Sequence, residues 1–424
     1  MSVIQIKKKK EISETYDLIV AGGGLAGVAA ACSAAREGLK VLLIEKYGFL
    51  GGMATSALVY PFMPHTESGG VLANAGLFLE LLQETNMLSG NKDLNSRYCL
   101  TEFLKIALDR MIEKYGVTVL FHSKLSDVEF RDRKVMSITV ATISGNIKLS
   151  APIFIDATGN ADMCAFAGLP YQIGRDEDGL CQPMTLCFRL ANIDNNRFDR
   201  KAAVALYKEF QKKGLIKNTR ENILSFKFPV DNVRHFNTTR VIGYDPTDVE
   251  QLTVAEFEAR KQMFEMYRFL RDNVEGCENC KLIESAPEIG IRESRRIIGY
   301  YEITADDITG TVKFKDSIAR CTYAIDIHNP SGTGTIYEKI PENDYYTIPY
   351  RAMIPVDADN IIVAGRPLSS THEAHSSFRI MPVTTCIGEA AGIAASLVKK
   401  YGCVPSDVDT KVLQNILIKN GALV

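Results

Sequence analysis

The 424-residue sequence predicts an α/β protein in which a parallel-sheet domain, split into two parts, carries an inserted α+β domain. Three observations predict it. From Asp17 to Glu45 an apolar run, a glycine turn, an alanine-rich run and a second apolar run follow one another. From about residue 174 the long apolar runs give way to short, separated ones and the charge density rises. Near the C-terminus a short apolar run, Asn360 to Ala364, and a small-residue helix restore the opening texture. The expected divisions are 12–173 and 346–424 for the two parts of the first domain, and 174–345 for the insertion.

The opening element is the most informative. Leu18 to Ala21 reads as a buried strand, Leu25 to about Glu37 as a helix, and Val41 to Ile44 as a second strand ending on Glu45. Between the first strand and the helix stands Gly22-x-Gly24-x-x-Gly27, the context a dinucleotide-binding fingerprint requires. Gly22 permits the tight turn, Gly24 lets backbone approach a diphosphate, and Gly27 lets helix and strand pack closely. The unpaired N–H groups at the helix start attract the anion. Glu45 is spaced to accept hydrogen bonds from ribose hydroxyls.

Further on, 101–115 reads as an amphipathic helix capped by Thr101, with Phe103/Leu104, Ala107/Leu108 and Met111 on one face. A strand at Val117 to His122 is followed by alternating runs around Val128 to Phe130, Val135 to Ile143 and Asn146 to Leu149, an antiparallel meander. Ala151 to Asp156 is an apolar strand that delivers Ala157-Thr158-Gly159. In the insertion, Thr253-Val254-Ala255-Glu256 reads as a capping box opening a helix to about Arg271, with Ala259, Met263, Met266 and Leu270 as its core stripe. After Asn360 to Ala364 come Gly365-Arg366, a loop to about Ile380, Met381 to Thr385, and a helix rich in Gly388, Ala390, Ala391, Gly392, Ala394 and Ala395. Its N-terminus is free to face negative charge.

These blocks carry a resemblance. Glu45-Lys46 leading to Gly51-Gly52-Met53-Ala54 resembles the FAD-binding domain of glutathione-reductase-like flavoproteins. GGGLAGVAAA with EKYGFLGGMAT, DATGNADMCAFAGLP, GIRESRRIIGYYEIT and AGRPLSSTHEAHSSFRIMPVTTCIGEAAGIAA together resemble the FAD-dependent oxidoreductase family related to fumarate reductase and succinate dehydrogenase flavoproteins, well populated in bacteria. The resemblance implies a Rossmann-like FAD-binding fold with an inserted substrate domain, and non-covalent FAD. It places Gly22, Gly24, Leu25, Ala26 and Gly27 at the diphosphate and Glu45 at a ribose, and counts Lys46, Leu125 and Asp162 among the cofactor-binding residues. Gly51, Gly52, Met53 and Ala54, with Ala157, Thr158 and Gly159, would lie along the middle of the cofactor. Gly365, Arg366, Met381, Val383 and Thr384 would lie toward the flavin ring. Many relatives have Gly-Asp where this chain has Gly365-Arg366, so the ribityl contact of that Asp is not carried over.

The chemistry expected at the flavin is hydride transfer between a small polar metabolite and FAD, in a dehydrogenase or oxidase with an unidentified electron acceptor. A base and anion-holding cations are required. The densest candidates are Arg292 and Arg296, beside Glu293 and Arg295, and His372, His375 and Arg379, beside Glu373. His372 is the first choice as base and Arg379 as anchor. Arg351 and the His235 to Arg240 cluster form a second tier, and His65 is the candidate for facing or covalently binding the flavin. The alternatives are a fumarate-reductase-like reductase of an activated double bond and a flavoprotein electron-transfer subunit. With no second G-x-G-x-x-G between a strand and a helix, one flavin face would serve substrate and acceptor in turn.

Composition narrows the partners. A formal net charge of −2 gives no electrostatic argument for nucleic acid or membrane, and no uninterrupted apolar stretch reaches the twenty or so residues of a membrane span. Lys7 to Lys10 reads as a solvated leader, and the protein as cytoplasmic. Ten cysteines then stand as reduced thiols. Cys277-x-x-Cys280 reads as a pair of surface thiols after a helix, and no metal site or iron–sulfur cluster is expected. Composition and motifs do not specify the oligomeric state.

Overall fold

A computed structural model describes residues 15–67 and 70–424; the Lys7 to Lys10 leader lies outside them. Five parallel strands form the central sheet in the spatial order Ile361–Val363, Ile153–Asp156, Leu18–Ala21, Val41–Ile44, Thr118–Leu120. Sequence neighbours Leu18–Ala21 and Val41–Ile44 lie side by side, joined by the crossover helix Leu25–Arg36. The strand near the C-terminus returns to the far edge and closes the fold on itself.

Strand periodicity explains why both faces are covered. Leu18, Val20, Val41, Leu43, Ile153, Ile155 and Ile362 point into a core shared with the helices Leu25–Arg36, Thr101–Tyr115 and Met381–Tyr401. Their alternates Ile19, Ala21, Leu42, Ile44, Phe154, Ile361 and Val363 meet a second core with Leu125, Val128, Ile138 and Val140 of the meander. That meander is the antiparallel sheet Ser123–Arg131, Lys134–Thr142, Gly145–Leu149. A doubly covered parallel sheet has apolar residues at every position, which is why these strands read as continuous runs.

Residues 184–289 build a separate core around a four-stranded antiparallel sheet: Ser225–Lys227, Arg234–Phe236, Phe188–Ala191, Lys281–Ser285. Phe188 and Phe236 stack across adjacent strands with centroids 5.2 Å apart. Against them lie Tyr207 of the helix Arg200–Lys212, and Met266, Phe269 and Leu270 of the helix Val249–Asn273. Beyond Ile289 the chain turns back. Ile297 joins the meander-side core, and Ile303, Ile308, Ile318 and Ile325 join the core on the other face of the parallel sheet, so the segment 174–345 contributes to all three cores.

Several local expectations are corrected. Thr101 is the first residue of its helix rather than its cap, and its Oγ1 is held by Arg189 Nη2 at 2.5 Å. The long insertion helix starts at Val249, where the Asp248 side chain accepts from Gln251 N at 2.9 Å. Thr253 therefore sits inside the helix, its hydroxyl on the Val249 carbonyl: Asp248, five residues earlier, offers the stronger cap. Cys277 and Cys280 are buried, not surface thiols, and burial pushes their thiols up to about 12 and about 11. The C-terminal helix begins at Met381, and the preceding stretch contains a further helix, His372–Phe378, capped by Thr371. Met381–Tyr401 is also long and apolar enough to cross a membrane, contrary to the sequence expectation, yet 89 % of its apolar window is buried in this core.

Candidate cofactor and substrate site

The glycine turn is built for backbone proximity. Gly22 has φ of +103°, and a Cβ there would stand 2.4 Å from the Ala157 carbonyl oxygen. At Gly27 a Cβ would stand 1.8 Å from the Gly22 oxygen. Only glycine fits either position. Gly51 N–H donates to the Gly23 carbonyl at 2.8 Å, drawing the second glycine pair alongside the first. The helix after the turn has Gly24 as its cap residue and no side-chain cap, so its first N–H groups remain for a ligand.

Glu45 ends the second strand and lies 5 % exposed. Its two oxygens accept from Gly23 N at 2.6 Å and Tyr47 N at 2.9 Å. Burial raises its carboxyl above the usual range, partly offset by those two N–H groups. Asp156, at the end of the third strand, is wholly buried and accepts from Thr158 N, Thr158 Oγ1 and Cys164 N, which fixes the Ala157–Gly159 turn beside the glycines.

One continuous groove runs over these turns. Its central part is lined by Gly22, Gly24, Leu25, Ala26, Glu45, Lys46, Gly51, Gly52, Met53, Ala54, Ala157, Thr158, Gly159, Gly365, Arg366, Met381 and Thr384. Leu125 and Asp162 line the arm beyond Glu45, where Pro246 to Leu252 of the insertion face them. Gly27 and Val383 take no part in the lining: Gly27 seats the helix on the turn, and Val383 is fully buried behind the helix start. Among the described residues no group of three or more His, Cys, Asp or Glu side chains is placed to hold a metal ion.

At its other end the groove opens into a cavity of about 380 Å³ between the domains, inside the range of roughly 300–1,000 Å³ typical of small-molecule clefts. Met53, Ile291, Arg366, Arg379 and Met381 belong to both spaces. The cavity also holds Arg220, Arg292, Asn237, Tyr323, Asp326, His328 and Thr335. Arg292 reaches the Pro183 carbonyl and Asn237 Oδ1, each at 3.3 Å; Arg379 reaches Gln182 Oε1 at 3.3 Å; Arg220 meets Asn222 Oδ1 at 3.5 Å. Their side-chain partners are thus neutral. Burial, with Arg220 and Arg379 nearby, pushes Arg292 down to about 9, still cationic at neutral pH.

The cavity brings together Arg292 and Arg379 of the residues expected from sequence, and leaves the others outside it. Arg296 is fully buried behind the wall, paired with Glu293 and bonded to the Ser370 and Gly174 carbonyls. Because 295–297 is a strand and not a helix, Arg292 and Arg296 point to different places. His372 is 4 % exposed, its Nδ1 held by Glu293 at 2.8–2.9 Å; His375 is completely buried against Phe378. Neither lines the cavity, which corrects the choice of His372 as base. His65 packs edge-on to Phe78, away from both spaces, which corrects its flavin-facing assignment. Arg351 pairs with Asp316, and His235 is sealed against Tyr60. Arg220, Asp326 and His328 were missed: they come from two segments without a motif, a loop and the strand Ile325–His328, and only the fold brings them together.

A parallel-sheet glycine cradle that opens onto a polar cleft under an inserted domain defines the class of dinucleotide-dependent oxidoreductases. More narrowly, the chain belongs to the FAD dependent oxidoreductase family, whose sequence profile matches residues 17–417. Its cofactor is FAD. A segment of 69 residues is 41 % identical to dihydrolipoamide dehydrogenase of Chaetomium thermophilum, a match that spans 16 % of this chain and 12 % of that relative's length. Among solved structures, a geranylgeranyl bacteriochlorophyll reductase-like protein of Thermoplasma acidophilum aligns over 96 % of this chain and 84 % of its own, with 13 % identity and a TM-score of 0.46. The flavin-dependent brominase Bmp2 aligns over 96 % and 83 % (12 % identity, TM-score 0.49), and L-proline dehydrogenase of P. horikoshii over 97 % and 100 % (11 %, 0.44).

Proposed function

We propose that the protein catalyses hydride transfer between a small anionic metabolite, such as a hydroxy or amino acid, and non-covalently held FAD. The observation that carries this reading is the trio Arg220, Arg292 and Arg379, gathered without a carboxylate ion-pair partner among the described residues, in a cleft that shares its walls with the cofactor groove. Arg220 and Arg292 are buried and Arg379 half-buried, and their combined charge exceeds that of Asp326 in the same cavity; cations held together are costly until a further anion joins them. The groove fits FAD: the uncapped helix start and the two glycine pairs suit a diphosphate, and Glu45 suits a ribose. The Ala157–Gly159 turn and the start of the Met381 helix would hold the flavin half. Bound there, FAD supplies a two-electron acceptor. The chain's own part is to bind the anion through the arginines, orient it against the shared wall of Met53, Ile291 and Met381, and exclude water. Ten free thiols, nine of them buried, suit a reducing compartment, and we place the enzyme in the cytoplasm.

The test is anaerobic titration of the purified yellow protein with small carboxylates and with neutral sugars and alcohols. Bleaching by an anionic compound is expected, together with a roughly 30-fold rise in KM for Arg292→Met, from the loss of a charge-assisted contact of about 2 kcal/mol. Bleaching by neutral compounds alone, or an unchanged KM in that variant, would overturn the reading. Reoxidation of chemically reduced enzyme by an unsaturated acid would reverse the direction assigned here.

A further inference from the structure

The arginines bind, but oxidation of a C–OH or C–NH donor also releases a proton, and the cavity wall offers few groups to take it. Its ionisable members are four arginines (Arg220, Arg292, Arg366, Arg379), Tyr323, Asp326 and His328. The imidazole is the one group in that set whose ordinary range lies near neutral pH. His328 ends the strand Ile325–His328 and is 7 % exposed. Thr335 Oγ1 lies 3.2 Å from its Nδ1, and Asp326 Oδ2 lies 3.7 Å from its Nε2. Asp326 is itself fixed: Tyr323 Oη donates to its Oδ2 at 3.1 Å, and its backbone N–H donates to Ser376 Oγ on the helix His372–Phe378. Arg240, paired with Glu221, holds the Asn329 and Gly334 carbonyls and so pins the hairpin that carries His328.

We propose that His328, aligned by Asp326, is the proton-transferring group of this site, and that the bound anion itself raises its proton affinity. The proposal rests on the anionic-substrate reading above. The groups around His328 are four cations, Arg220, Arg292, Arg379 and Arg240, against the carboxylates of Asp326 and, through Arg240, Glu221. Burial and these cations hold the imidazole neutral, well below its ordinary range. A substrate carboxylate seated on Arg220, Arg292 and Arg379 cancels part of that field, and proton affinity at His328 rises with it. The base is therefore strengthened only when there is something to deprotonate. In the oxidation, FAD held in the groove would supply the acceptor for the hydride and its electron pair, and the remaining proton from the substrate O–H or N–H would pass to the imidazole of His328.

The experiment is an NMR titration of the holoenzyme labelled in its six histidines, with the His328 signal assigned through His328→Gln. It is run without and with saturating oxalate as a non-oxidisable anion, its binding followed by the flavin spectrum. The His328 midpoint is expected to rise by at least one pH unit, a tenfold gain in proton affinity, while His235 and His375 stay put. Oxalate binding with an unmoved His328 would overturn this inference and leave the anionic-substrate reading standing. If neither oxalate nor other carboxylates perturb the flavin, that reading falls and this one with it. On an oxidised substrate, His328→Gln is expected to lower kcat by roughly 10²–10⁴-fold, with its flavin spectrum and oxalate affinity kept. An unchanged kcat in a variant that still binds both would also overturn the proposal.

Discussion

Gly388 is a position where one added methyl group would meet helix backbone directly beneath the cofactor cradle. It lies on the helix Met381–Tyr401 where that helix crosses Leu25–Arg36, and a Cβ there would stand 2.1 Å from the Ala26 carbonyl oxygen and 2.7 Å from its C and Cα. Ordinary contact begins at about 3.4 Å, so the helices would have to part by more than an ångström. The obstacle is helix backbone and cannot rotate away. The neighbouring ties are equally short: Ser33 Oγ donates to the Glu389 carbonyl at 2.9 Å, and Gly392 approaches the Ala30 oxygen to 2.1 Å of its would-be Cβ. Overpacking of this kind costs about 1–3 kcal/mol, and a gap of about 0.5–1 Å forfeits roughly a quarter to a half of each contact's dispersion energy. Gly388→Ala is therefore expected to lose about 3 kcal/mol. Because Ala26 lines the cofactor groove, FAD affinity should fall as well. Urea unfolding of the apoprotein and fluorescence titration with FAD measure the two effects separately, and excess FAD should restore part of the stability. A variant with the wild-type unfolding midpoint and FAD affinity would refute the claim that this crossing positions the cradle.

Two further outcomes follow from buried polar groups. Glu389 is completely buried in the same helix, its carboxylate accepting from Arg36 Nη2 at 2.7 Å and from Leu77 N at 2.9 Å; Glu389→Ala strands the Arg36 charge and should cost about 3–5 kcal/mol, read by urea unfolding, with Glu389→Gln costing less. His235 is fully buried against Tyr60 and Phe226 with no hydrogen-bond partner among the described residues, and desolvation pushes it down from 6.5 to about 3. The folded state thus binds fewer protons than the unfolded one between those values, so its contribution is complete above pH 6.5 and is lost as pH falls toward 3, at about 1.4 kcal/mol per pH unit. His235→Phe should flatten the pH dependence of the unfolding free energy in that window; an unchanged slope would show that His235 is hydrated or already protonated.

The cofactor half of the molecule was legible in the sequence because its chemistry is local. Gly22, Gly24, Gly27 and Glu45 fall within one strand–turn–helix–strand unit, and the steric reasons for each glycine are the reasons the residue must be glycine. Ala157–Gly159 and the Met381 helix are likewise contiguous signals, and all line the same groove or seat it. The substrate end was not legible to the same degree. Arg292 and Arg379 were singled out, but Arg220, Asp326 and His328 come from a loop and a hairpin more than one hundred residues apart in sequence, and their meeting is a property of the tertiary fold. The dense His372–Arg379 block misled for a physical reason: on a short helix only part of its circumference faces the cleft, and Arg379 at its end has that aspect while His372 and His375 turn to the core. The Thr253 box failed because Asp248 supplies an earlier cap.

The order of assembly imposes a timetable on cofactor loading. The groove is lined by turns from the first sixty residues, from the Ala157–Gly159 region, and from Gly365 to Thr384. The outer strand Ile361–Val363 pairs with Ile153–Asp156 only after almost the whole chain exists. At about 5–20 residues per second of synthesis, the glycine turn therefore waits on the order of tens of seconds on the ribosome before its last wall emerges. Throughout that interval Ala26 and Ala30 present an uncovered small-residue helix face, whose natural cover is Gly388 and Gly392. A growing chain stalled or cleaved before Met381 would thus carry a complete-looking fingerprint with no vessel to hold the flavin, and its exposed helix would be a substrate for chaperones and proteases.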